Sequence, residues 1–98
     1  MVRKIIISSE ADRNFTKITE FLEANWTLKE IRKFNNQFDS KLIIIKHFPY
    51  SSPVVSHNKN IRKCVINKQI SMYYLIKAEE IIVLSLFDTR MSSPKLKV

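Results

Sequence analysis

In the stretch from Ile61 to Leu96, two successive β-rich runs are largely apolar at both sets of alternating positions. Ile70, Met72, Tyr74 and Ile76 alternate with Ser71, Tyr73 and Leu75; Ile82, Leu84 and Leu86 alternate with Ile81, Val83, Ser85 and Phe87. Side chains along a strand point to opposite faces, so such strands need cover on both sides. With 98 residues there is chain for one core of two packed layers and none for a second domain. One face can be covered from within the chain, and the second is left for a partner. Burying four such side chains would contribute about 6 kcal/mol, at about 1.5 each before association costs. The alternative is that Tyr73 and Tyr74 are ordinary amphipathic strand residues and the C-terminal tail folds over the second face.

The cover for the first face is legible upstream. Val2 to Ser8 is a β-branched run that reads as a first strand, buried on both sides or central in a sheet. Ser8, Ser9 and Glu10 offer helix-start chemistry, and Ala11, Phe15, Ile18 and Leu22 recur at helical spacing, predicting a helix that ends near Asn25. Thr27 and Glu30 have capping-box spacing. Leu28, Ile31, Phe34, Phe38, Leu42 and Ile45 then extend an apolar stripe to His47, where Phe48-Pro49 stops the helix. The short link at Asn25–Trp26 predicts an antiparallel hairpin.

Residues 49–60, with two prolines and many small polar residues, read as a surface loop. Strands follow over Ile61–Asn67, Gln69–Ile76 and Ile81–Asp88. The chain contains no glycine, so a tight turn needing positive φ falls to asparagine, with Asn67 the candidate at the first turn. The expected fold is α+β, ordered β-α-α-β-β-β, with the helix hairpin packed on one face of a small twisted, mainly antiparallel sheet.

Charge narrows the kind of partner. A formal +8 is concentrated in the second half, where residues 51–98 carry eight basic and three acidic side chains. Such a field attracts a polyanion or an acidic protein. One cysteine, Cys64, permits no internal disulfide, and inside a strand it reads as a small hydrophobe. The N-terminus turns polar at Ser8, too early for a secretory signal, and no apolar run approaches a membrane span, so the expectation is a cytoplasmic protein.

Catalytic signatures are sparse. His47, His57 and Cys64 form no closely spaced ligand cluster, which argues against a metal, and His47 suits the helix C-terminus electrostatically. Glycine-rich phosphate loops are excluded. What remains is a set of cations: Lys59, Arg62, Lys63, Lys68, Arg90, Lys95 and Lys97. These can bind phosphates or form a basic docking surface. A module binding duplex DNA by itself is disfavoured, because no helix joins a basic face to base-reading residues.

The order of elements, Trp26 closing the first helix, Phe48-Pro49 ending the second, the IRK at Ile61, the strand bearing Tyr73-Tyr74 and the LFDTRMSSPKL tail together resemble the RelE/ParE superfamily of bacterial toxins over nearly the whole chain. The resemblance implies the toxin of a plasmid or chromosomal type II toxin–antitoxin module, neutralised by a cognate antitoxin that wraps it. No cofactor, metal, membrane or small-molecule substrate is implied. Tyr73, Leu75, Val83 and Phe87 are the expected antitoxin-facing residues.

Members of that superfamily divide by target. RelE-like toxins cut mRNA in the ribosome, and for this activity Arg62, Lys63 and Arg90 match basic positions of the pattern. Two departures count against it: Ile70 stands where those enzymes carry an arginine at a strand start, and no tyrosine or histidine follows Phe87. ParE-like toxins inhibit DNA gyrase and need no catalytic constellation. The preferred expectation is therefore gyrase inhibition, with Arg90, Met91, Lys95 and Lys97 facing the target. The alternatives are a ribosome-dependent mRNA endonuclease and an antitoxin-binding module without toxicity.

Overall fold

The structure, a computed structural model, describes residues 2–56 and 60–92. Its elements are β1 (Lys4–Ile7), α1 (Ser9–Asn25), α2 (Leu28–His47), β2 (Val54–Ser56), β3 (Ile61–Val65), β4 (Ile70–Ile76), β5 (Glu80–Asp88) and α3 (Thr89–Ser92). The predicted order holds, with β2 and the single-turn α3 added. Five strands form one sheet ordered β1-β5-β4-β3-β2, in which only β1 runs parallel to its neighbour.

Helix α1 starts where Ser8 supplies a cap: the Ala11 N–H donates to Ser8 Oγ at 3.0 Å. Ser8 also ties the helix to β5, its N–H donating to the Val83 carbonyl at 3.1 Å and its hydroxyl to the Leu84 carbonyl at 2.9 Å. The expected capping box at Thr27 is absent: α2 begins at Leu28 without a side-chain cap, and the Glu30 N–H donates to the Thr27 carbonyl at 3.0 Å instead. Phe15 joins the helices, its ring 5.2 Å from that of Phe34 and 5.0 Å from that of Phe38. Ala11, Ile18, Leu22, Phe34, Phe38 and Ile45 complete the helical side of the core.

On the sheet side, β4 follows the expected alternation, with Ile70, Met72, Tyr74 and Ile76 buried. Strand β5 does not. Tyr73 pairs with Ser85 and Tyr74 with Val83, leaving Leu84 as the extra residue of a β-bulge. The bulge shifts the alternation, so Ile81 and Val83 before it and Leu86 and Asp88 after it are all buried with the inner face of β4. Val83, expected on the partner-facing side with Phe87, is 0% exposed in the core. A period of exactly two cannot anticipate an inserted residue.

Three further expectations are corrected. β1 is an edge strand, with Lys4 and Ile7 exposed, because β4 and β5 take the middle of the sheet. Three residues of the predicted loop form β2 beside β3, a strand too short to carry a period. Among the described residues positive φ falls at Asn60 (55°), directly before β3. Asn67 shapes the β3–β4 turn through its side chain, whose Oδ1 accepts from the Gln69 and Ile70 N–H groups at 2.9 Å each.

Candidate functional site

At the end of the sheet where β3 turns into β4 and β5 runs into α3, a cleft of about 420 Å³ opens toward the start of α2. Lys33 and Glu30 border it from α2, Lys68 and Gln69 from the turn, and Arg90 from α3; Ile70 forms part of its apolar floor. Lys33 and Lys68, beside an Arg90 that Asp88 offsets, outweigh the carboxylate of Glu30 and make the cleft attractive to anions. Lys68 and Arg90 were among the cations legible in the sequence; Lys33 was not, because it meets them only in the fold, 35 and 57 residues away along the chain.

Arg90 is not a free cation. Its Nη2 donates to Asp88 Oδ2 at 2.8 Å and its Nε to Asp88 Oδ1 at 3.1 Å, while its backbone N–H donates to Oδ1 at 2.9 Å. The guanidinium carbon lies 5.4 Å from the centroid of the Phe21 ring. Asp88 is the only charged side chain buried among the described residues. The D-x-R spacing at the strand's end was its only sequence signal.

The other two candidates of the nuclease reading lie elsewhere. Arg62 pairs in register with Tyr74, four residues along β4 from Ile70, so about 14 Å of strand separates it from the cleft end. Its Nη1 donates to the Ser52 carbonyl at 2.6 Å and its guanidinium lies 5.0 Å from the Tyr50 ring centroid, while its buried Nε has no hydrogen-bond partner. Arg3 approaches the same ring at 5.7 Å. Nearby, the Tyr74 hydroxyl donates to the Pro49 carbonyl at 2.7 Å. Arg62 and Tyr74 thus staple the segment after α2 to the sheet. Lys63 pairs with Tyr73, on the opposite face from Arg62. The structure does not bring Arg62, Lys63 and Arg90 together.

General acid–base chemistry needs a titrating side chain in reach of the reacting atoms. Among the described residues the cleft is lined by amides, ammonium and guanidinium groups and the carboxylate of Glu30, with no histidine or tyrosine. Burial pushes the Cys64 thiol and the Tyr74 phenol above their ordinary ranges, and both belong to the core. Among the described residues no group of three or more His, Cys, Asp or Glu is placed to hold a metal. Nor is any helix there long and apolar enough to cross a membrane.

The sheet face turned away from the helices presents Tyr73 and Leu75 from β4 and Phe87 from β5. Val65 of β3, paired with Ser71, shares that face and is 55% exposed, and Phe87 is 36% exposed. These apolar side chains lie side by side without a covering layer among the described residues. Met91 of α3 is half-buried against the core. Lys95 and Lys97 lie outside the described residues, as do His57 and Lys59.

No protein-family model and no curated protein matches the sequence. Solved structures do. A chain of the chromosomal ParDE toxin–antitoxin system from P. aeruginosa superposes with a TM-score of 0.74 at 11% identity, over 89% of this chain and 96% of that one. A copper-bound mutant toxin from Helicobacter pylori gives 0.65 at 18% identity, over 93% and 98%. A chain of the E. coli DinJ-YafQ toxin-antitoxin complex gives 0.63 at 9% identity, over 93% and 97%. The chain therefore has the fold found in these toxin–antitoxin proteins, matched along nearly its whole length.

Proposed function

We propose that this protein is the toxin of a type II toxin–antitoxin module, neutralised by a cognate antitoxin segment lying on the outer sheet face. The observation that carries this reading is the apolar surface of Tyr73, Leu75, Phe87 and Val65, left without a covering layer among the described residues, on a fold shared with proteins of toxin–antitoxin complexes. The net +8 favours an acidic partner. Expression of the chain in a bacterial host should arrest growth, and co-expression of the adjacent gene's product should restore it. Substituting Tyr73→Asp and Leu75→Asp should abolish the rescue and not the arrest; rescue that survives both changes would rule out this face.

Within that class we favour gyrase inhibition by a ParE-like toxin, with the target-facing groups at Arg90, Met91, Lys95 and Lys97. The support is chemical. Among the described residues the cleft has no histidine or tyrosine, Ile70 is buried where an RNA-cleaving relative would present an arginine, and Arg90 is committed to Asp88. The alternative, a ribosome-dependent mRNA endonuclease, draws support from the cationic cleft itself. Removing the chain after Asp88 should eliminate supercoiling inhibition while leaving antitoxin binding intact.

A further inference from the structure

We propose that Asp88 is a positioning residue: it holds Arg90 and the turn of α3 in one orientation, so that the target-facing segment at Arg90 and Met91 is presented in a set direction. This rests on the reading of that segment as target-facing. Asp88 ends β5, its side chain wholly withdrawn from solvent, and its two oxygens take three hydrogen bonds from Arg90, two from the guanidinium and one from the backbone N–H. Arg90 keeps 27% of its side chain exposed, at the mouth of the cleft. The pair thus joins a buried anchor to a surface group.

Helix α3 has four residues, and one turn has no stability of its own. Its geometry comes from its attachments: the Asp88 bonds, Arg90 over Phe21, the Thr89 N–H donating to the Gln69 carbonyl at 2.9 Å, and Met91 packed on the core. A buried ion pair is an expensive way to attach one turn, since apolar side chains of similar volume commonly hold a fold as well or better. What apolar packing cannot supply is a planar fork that fixes the guanidinium in two directions at once. The neutral isostere separates the two roles. Asparagine can still accept the Arg90 backbone N–H and cap the turn, but its amide nitrogen would face Nη2 donor to donor.

The test compares the wild-type chain with Asp88→Asn by thermal unfolding, by hydrogen exchange of the Arg90 Nε–H in NMR spectra, and by inhibition of gyrase supercoiling. Both proteins should fold; the Nε–H should exchange at least tenfold faster in Asp88→Asn, and inhibition should weaken at least tenfold. Arg90→Lys, which keeps the charge and loses the fork, serves if Asp88→Asn does not fold, and should fold with inhibition weakened likewise. Unchanged exchange, or released Arg90 with undiminished inhibition, overturns the proposal. Wild-type protein that leaves gyrase untouched overturns the target reading instead, and the exchange measurement still decides whether Asp88 fixes Arg90.

Discussion

The bulge at Leu84 can be tested by cutting the same two methyl groups from two strand valines. Strict alternation would place Val83 on the outer face with Phe87, where truncation is mild; the bulge places it in the core at 0% exposure. Val65 lies on the outer face at 55% exposure and serves as a control of identical chemistry. Val83→Ala removes two methyl-sized groups worth about 0.8 kcal/mol each and leaves a cavity, for a loss of about 2 kcal/mol. At Val65 less than half of that surface is withdrawn and solvent fills the gap, so the loss is about 0.7 kcal/mol. In a domain of this size these correspond to falls in Tm of about 12 °C and about 4 °C. Thermal unfolding followed by circular dichroism, with urea melts to check that the m-value is unchanged, measures both. Equal shifts, or a larger one at Val65, would refute the bulged register and return Val83 to the outer face.

Tyr74→Phe leaves the Pro49 carbonyl without its buried donor and should cost about 1–3 kcal/mol in urea melts. Arg62→Ala should destabilise the segment after α2, seen as faster amide exchange at Ser51 and Ser52, without abolishing toxicity; complete loss of toxicity in a folded variant would return Arg62 to the active groups. Stability should also fall at alkaline pH. Cys64 and Tyr74 have raised pKa values in the fold, so each stabilises fully below its unfolded value, and that contribution is lost as pH rises through the folded one. The Cys64 share begins above about pH 8.5 and should shrink in Cys64→Ala, measured by urea melts at pH 7 and pH 10.

What the sequence made legible was what periodicity and local chemistry encode. The stripe of Phe15, Ile18 and Leu22 against Phe34 and Phe38 specified the helix hairpin, and Phe48-Pro49 its end. The alternation of Ile70 to Ile76 specified the inner face of β4. What stayed hidden depends on long-range partners. Thr27 and Glu30 satisfied a local motif without forming it. Leu84 carries no sign that it is the inserted residue, because both alternating sets of β5 are largely apolar and either could face the core. The site shows the same division: a surplus of cations was visible, but not that Arg62 is engaged with Ser52 and Tyr50, or that Asp88 anchors Arg90. Those commitments turn a list of basic residues into one cleft, one staple and one outer face.

The most direct test of the account sets one preparation of the chain against two targets, purified gyrase and mRNA on programmed ribosomes. Supercoiling should stop while the mRNA stays intact, and an antitoxin bound to the outer sheet face should restore supercoiling. Cleaved mRNA with supercoiling unaffected would contradict this, and would assign the chemistry to the cleft at Lys33, Lys68 and Arg90.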